Sequence, residues 1–429
     1  MARIFVALHN FAYRTTETNE MPPFFESFLR TLEAAGNDVL CYFHKQQGRE
    51  FGQKIPKNLL EKIKLFSPEI CIFFNNEFYD ITPYFDGPIL IYDVDSPITY
   101  ADVDRVIRTK DRYKFAVNQS SGIKIIQEMI GAEKRNIQYI APFTGIRSNP
   151  NADVRTNIAF CGSHWLWQGC DCVTKFLKEK PTEEERKLAI DVFNRFIKYP
   201  FVTSEEMYKE YAQPVQKQLE INDLRLYSAR YSGLRRARFL TAVAPLGLEI
   251  RGEYWDNQCL NYFPEIALCY NAQPTYSVKA TEDFYNSAKI GFSTSHIQAV
   301  SGFSWRVCDI LASNACLVSE YRSDFAQLFP GVGFPTFSSE AEAHDRCAYV
   351  LENPNYRADV VARAHETIEK KFRPDRAVHE LEDFLGIPLF TEKAGTLTFL
   401  REDEFIPKHL VARNKLLSTA RRVKRRLLG

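Results

Sequence analysis

Arg306 and Asp309 lie three residues apart in Phe303-Ser304-Trp305-Arg306-Val307-Cys308-Asp309-Ile310-Leu311-Ala312, a stretch that reads as a helix. Side chains three apart on a helix share one face. An apolar, strand-like run and the polar loop Ser293-Thr294-Ser295-His296 come before it. A loop that ends at a helix start, here near Ser304 and Trp305, presents free backbone N–H groups to an anion. Arg306 can pair with a phosphate, and Asp309 can accept from a sugar hydroxyl. Those are the parts needed to hold a sugar nucleotide. A surface i,i+3 ion pair has the same spacing, so spacing alone establishes compatibility and no more.

Other polar residues stand where strand-like runs stop. In the second half these are Gly162-Ser163, Arg251-Gly252-Glu253 and Ser319-Glu320-Tyr321. Ligands of open parallel sheets bind at the carboxyl ends of strands, which makes Ser163, Ser319 and Tyr321 candidate contacts. Gly162 and Gly252 permit close backbone approach to a ligand. Arg251, like Arg306, can neutralise a diphosphate leaving group as its charge develops. In the first half the strand ends carry His9-Asn10, Asn75-Asn76 and Asp93-Val94-Asp95-Ser96-Pro97. Asp93 and Asp95 are two apart in an extended run and can face one way. A carboxylate there can take the proton of an acceptor hydroxyl, and His9 is the rival base. A plain turn at Asp95-Ser96-Pro97 accounts for the same residues. The Asp-x-Asp spacing also admits a metal reading.

The stretches Tyr285–Ser295 (YNSAKIGFSTS) and Gly302–Tyr321 (GFSWRVCDILASNACLVSEY) resemble the donor-site signature of bacterial GT-B glycosyltransferases of the CgeB-like, family 1-like group. The similarity continues from Asp324 to Phe372, and upstream through Arg235–Trp255 and Asn157–Trp165. It spans roughly residues 157–385, apart from a stretch near 166–228. The resemblance implies a GT-B fold: two Rossmann-like α/β domains facing across a cleft. It implies a nucleotide-sugar substrate contacted by Arg306 and Asp309. It also implies that arginines and helix N-termini do the work of a cation, so no cofactor and no metal is expected. Two positions depart from the pattern. Asp309 stands where Glu is common, and Asn314 where Gly is usual; Asn tolerates the left-handed helix stop.

The elements that must position these residues alternate along the chain. Strand-like runs at 4–8, 38–43, 69–75, 88–93, 114–118 and 137–140 alternate with helical patterns at 22–35, 57–65 and 120–131. Unbroken apolar strands between amphipathic helices mean a parallel sheet covered on both faces. We therefore expect an acceptor domain over 1–150, with a polar linker at 144–153. A donor domain over 151–388 follows, with strands at 157–163, 247–251, 289–294 and 315–319 and helices at 340–352 and 355–371. The helical, charged stretch at about 166–229 reads as an insertion, and 389–429 as an extension ending in a basic helix.

A length of 429 residues suits two domains. The chain starts directly in a strand with no signal-like segment, and Cys41, Cys71, Cys161 and Cys316 lie in strand-like runs and Cys308 in a helix, so reduced thiols in the cytoplasm are expected. Cys170-Asp171-Cys172 beside His164 resembles half a zinc site, but no second pair has suitable spacing. Net charge is +1, yet the last 25 residues hold eight Lys/Arg and no acid. Leu410, Leu417, Val423 and Leu427 fall roughly on one helix face there, and Arg421, Arg422, Lys424, Arg425 and Arg426 surround it. Such a helix can lie on an anionic membrane, here the inner face of the cell membrane. No run is long enough to span a bilayer, and no nucleic-acid motif accompanies the basic tail. The expected function is transfer from a nucleotide sugar to a glycan or lipid-linked acceptor in bacterial surface polysaccharide synthesis. A sugar-nucleotide epimerase on the same scaffold and a non-catalytic glycan-binding or scaffold protein are the alternatives.

Overall fold

In the computed structural model, the described residues are 2–9, 21–44, 54–164 apart from 77, 96, 98, 99, 101 and 102, parts of 182–191, and 221–405 apart from 253, 254, 256, 274, 276 and 297. The 166–220 portion of the expected insertion is thus almost wholly outside them. So are Cys170, Cys172 and the basic tail with Arg421, Arg422, Lys424, Arg425 and Arg426.

The N-terminal half is a seven-stranded sheet, all of it parallel. Its strands are β1 (Arg3–His9), β2 (Asp38–His44), β3 (Ile70–Phe74), β4 (Ile89–Asp93), β5 (Tyr113–Val117) and β6 (Ile137–Tyr139), with a late strand described below. Helices α1 (Pro23–Ala34), α2 (Lys57–Phe66), α3 (Val103–Arg108) and α4 (Gly122–Ile130) connect them. β3 and β4 are buried at every position, as strands covered on both faces must be. Pro23 starts α1 with its φ pre-set, and Gly36 follows its end at φ +91.

The C-terminal half is a five-stranded parallel sheet of β7 (Thr156–Cys161), β8 (Leu248–Arg251), β9 (Ala288–Ser293), β10 (Cys316–Glu320) and β11 (Thr336–Phe337), in the order β11-β10-β9-β7-β8. Its helices are α5 (Ile221–Val243), α6 (Asn257–Tyr262), α7 (Pro264–Ala267), α8 (Val278–Asn286), α9 (Arg306–Leu311), α10 (Asp324–Leu328), α11 (Glu340–Glu352) and α12 (Pro354–Lys371). The strand order turns back between β7 and β9, which is where open α/β sheets take ligands. α5 reaches from the expected insertion into the core, burying Ala237, Phe239, Leu240 and Val243.

One boundary differs from the sequence reading. The chain returns to the N-terminal half at Arg373, not near 388. Helix α13 (Pro374–Leu385) buries Ala377, Val378, Leu381 and Leu385 with Phe24, Phe28 and Leu32 of α1. Strand β12 (Thr396–Arg401) then pairs with β2 from Thr396↔Asp38 to Arg401↔Phe43 and becomes an edge of the first sheet. An exposed, Thr-rich edge strand carries a weak periodic signal, so the sequence reads as an extension there. The two passages of the chain between the halves run side by side. Thr144 N–H donates to Phe372 O at 3.0 Å, and the Arg373 guanidinium donates to the carbonyls of Thr144 and Ile146 at 3.1 and 2.5 Å.

Candidate active site

The carboxyl ends of β7, β9 and β10 meet the last turns of α5. That helix brings Arg235 and Arg236 to them. Arg236 Nε donates to Thr294 Oγ1 at 2.9 Å, its NH1 donates to the Ser163 carbonyl, and its guanidinium lies over the Phe160 ring. Burial pulls its pKa down to about 9, so the group still carries its charge at neutral pH. Arg235 sits 2.6 Å from the carboxylate of Glu320, which is 1% exposed and ends β10. Glu320 also accepts from Arg322 at 3.2 Å and from the Ser295 N–H at 3.0 Å. Three guanidiniums thus gather along the carboxyl ends of β7, β9 and β10. Holding charge in low dielectric is costly, and the Glu320 carboxylate, the Thr294 hydroxyl and the Ser163 carbonyl offset that cost.

Sequence reasoning missed Arg235, Arg236 and Arg322 as site residues. The run Arg235-Arg236-Ala237-Arg238 inside an otherwise core-facing helix end was the available signal, as was a glutamate closing the apolar run of β10.

The candidate residues read from the sequence fall in several settings. Gly162 and Gly252 are close to each other rather than open to a ligand. Gly252 has φ +138, and a Cβ on it would lie 2.4 Å from the Gly162 carbonyl oxygen. Gly162 also donates to Arg251 O and accepts from Trp255 Nε1 at 2.7 Å. Arg251 turns back to Glu249 at 2.8 Å and covers the Phe284 ring. Ser319 is buried with its hydroxyl on the Glu320 carbonyl, whereas Tyr321 is 44% exposed. Ser304 lies half-buried before α9, and its Oγ is 3.4 Å from the Arg306 N–H. The Trp305 indole stacks on Phe24 of α1 at 4.9 Å and meets Phe25 edge-on, which anchors the start of α9 in the other half's core.

Arg306 and Asp309 do share a face, at 3.8 Å. The face is interior. Asp309 is 1% exposed and accepts from the Thr144 hydroxyl, in the linker, at 2.6 Å. In this conformation it offers no surface to a sugar hydroxyl and ties α9 to the linker instead. Burial pushes its carboxyl up to about 6 against the pull of Arg306 and Thr144. An acid with a raised folded pKa stabilises most when protonated, below its unfolded pKa of about 3.9, and that contribution is lost as pH rises to about 6. Wild type should therefore lose roughly 3 kcal/mol relative to Asp309→Asn between about pH 4 and 6, and no more above that. Urea melts of both proteins at pH 4, 5, 6 and 7 check this; parallel profiles would refute it.

Across the cleft, His9 ends β1 and Asp93 ends β4 at the same edge of the first sheet. Asp93 is 2% exposed and raises the pKa of the buried Tyr100 phenol, after burial itself. Asp95 lies one turn further on and faces the other half. One carboxylate oxygen accepts from Asn75 Nδ2 at 2.5 Å, and the other from Gln298 Nε2, in the loop after β9, at 2.7 Å. The seam continues beside it. Ser120 N–H donates to Asp324 at 2.9 Å, Ser121 N–H to Ser301 Oγ at 3.0 Å, and Val300 N–H to Gln119 Oε1 at 2.8 Å. Among the described residues no group of three or more His, Cys, Asp or Glu is placed to hold a metal ion, and no helix is long and apolar enough to cross a membrane.

Residues 235–383 match the family described as glycosyl transferase-like. No curated protein matches the chain in sequence. Among solved structures, sucrose-phosphate synthase from Thermosynechococcus elongatus aligns over 89% of this chain and 98% of its own at 8% identity and TM-score 0.54. The T4 phage protein BGT, solved with its UDP-glucose substrate, aligns over 90% and 100% at 10% identity and TM-score 0.52. A glycosyltransferase from Rickettsia africae aligns over 89% and 97% at 9% identity and TM-score 0.51. At such identities the likeness is one of fold. The fold is that of GT-B glycosyltransferases, and about a third of the chain carries the glycosyl transferase-like match. The glycosyl transferase-like stretch begins at Arg235, the first arginine of the cluster, and ends in α13.

Proposed function

We propose that this chain transfers a sugar from a nucleotide-sugar donor to an acceptor hydroxyl across the cleft. The donor diphosphate lies at the carboxyl ends of β7, β9 and β10, and the acceptor on the first sheet. The convergence of Arg235, Arg236 and Arg322 on that edge carries the reading. In the transfer, the acceptor oxygen bonds to the anomeric carbon, whose bond to the diphosphate oxygen breaks. The nucleoside diphosphate leaves with the electron pair, and the acceptor proton passes to Asp95. Asp95 is preferred over Asp93 because it faces the other half, while Asp93 is enclosed. The arginines supply the charge that a cation would otherwise supply, and no metal is required.

The T4 phage protein's UDP-glucose makes that compound the first donor to try. Calorimetric titration with a panel of nucleotide sugars should find one that binds, with Arg236→Ala weakening it by about 1.5–3 kcal/mol. Full affinity in a folded Arg236→Ala protein would remove this edge as the donor site. Product analysis with and without acceptor separates transfer from epimerisation and from binding alone.

We further propose that the acceptor is a glycan or lipid-linked precursor of a bacterial surface polysaccharide, met at the inner face of the cell membrane. The basic residues from Lys408 to Arg426 support this. Each cation near an anionic surface contributes about 1 kcal/mol, screened by salt. Deleting residues 408–429 should abolish co-sedimentation with anionic vesicles and leave nucleotide affinity unchanged. Equal vesicle binding by both proteins would sink the membrane assignment.

A further inference from the structure

Asn75 and Asn76 follow the last residue of β3 with φ +50 and +56. Two successive left-handed residues without a glycine are costly, on the order of 1 kcal/mol each, and Asn is among the few side chains that tolerate them. Such backbone persists where its surroundings over-determine it. Here they do. Asn75 N–H donates to Tyr92 O at 3.0 Å. Its Oδ1 accepts from the N–H groups of Val94 and Asp95 at 2.9 and 3.2 Å. From the other neighbouring strand, Asn118 Nδ2 donates to Val94 O at 3.0 Å. The turn after β4 is thus clamped between asparagines that follow β3 and β5. These bonds shape backbone. The remaining bond does something else: Asn75 Nδ2 reaches one carboxylate oxygen of Asp95, while Gln298 of the opposite half takes the other.

We propose that Asn75 is a positioning residue for Asp95, aiming its carboxylate across the cleft, and that Gln298 completes the alignment from the donor side. The proposal rests on the reading of Asp95 as base. Two amide donors, one on each carboxylate oxygen, fix the direction in which the group points. Because one donor comes from each half, the base is aligned only when the halves meet. A base fixed in this way starts transfer in a near-attack geometry, and misplacement of about 1 Å costs on the order of 10²-fold.

Two substitutions separate aiming from folding. Asn75→Gly keeps the left-handed backbone and removes the side chain. Asn75→Asp keeps the left-handed tolerance and the oxygen that accepts from Val94 and Asp95, but replaces the amide donor with a second carboxylate. Crystal structures of both should show the Asp95 carboxylate displaced while residues 70–74 and 89–93 superpose on wild type. Release of UDP from UDP-glucose should show kcat lowered about 10- to 100-fold with KM within twofold of wild type. In an Asp95→Ala background the Asn75 substitutions should lower kcat no further. An Asp95 carboxylate that stays on Gln298 in both crystal structures overturns the proposal, whatever the turnover. So does a loss of kcat that persists in the Asp95→Ala background, because Asn75 would then act on the fold. If Asp95→Ala alone turns over like wild type, the base assignment fails, and the crystal structures still decide whether Asn75 aims Asp95.

Discussion

Asp95→Asn should lower kcat by about 10²–10⁴-fold while donor affinity stays near wild type. The amide has nearly the shape of the carboxylate, so the turn after β4 keeps its backbone bonds to Asn75. It cannot accept the proton that leaves the acceptor. The donor cluster sits on the other half, on Arg235, Arg236 and Arg322, and none of these is within the altered turn. Steady-state kinetics with the donor found by titration, together with calorimetry, separate the two quantities. A kcat within a few fold of wild type would move the base to Asp93 or His9, or require a mechanism that needs no such base.

Trp305→Ala should cost about 3 kcal/mol of stability. The indole lies face-on to Phe24, and Phe24 in turn stacks on Phe143 at 4.6 Å, which joins the start of α9 to the core of the other half. Removing it leaves a cavity lined by aromatic rings that the strands behind cannot close. The cost should appear between the halves more than within either, so one denaturation transition should broaden or divide in two. Denaturant melts followed by fluorescence and by circular dichroism check this. A loss under 1 kcal/mol with a single sharp transition would show that Trp305 does not couple the halves.

What the sequence revealed follows from which interactions are local. Strand β3 and helix α11 were legible because burial on both faces and the spacing of apolar residues are written in consecutive positions. The shared face of Arg306 and Asp309 was legible for the same reason. Its burial was not, because Thr144 is 165 residues away and no local pattern reports it. Gly162 and Gly252 read as room for a ligand, yet the room is taken by each other, since only the pairing of β7 with β8 brings them together. Arg236 was hidden by its setting: a helix with buried Ala237, Phe239 and Leu240 looks like plain core. Asp95 was found as a strand-end carboxylate, but its partner Gln298 comes from the far side of the cleft.

The two side-by-side passages at 144–146 and 372–373 limit how the two halves can move apart. A single flexible connector would let the halves swivel about any direction. Two bonded connectors, like the paired pins of a door, restrict that freedom at Thr144, Phe372 and Arg373. Parting the halves at the cleft would break the bond between Gln298 and Asp95. The first half is also not a separable piece as a continuous stretch: a fragment ending at residue 150 would lack α13 and β12, and would expose the apolar face of α1 and an unpaired β2.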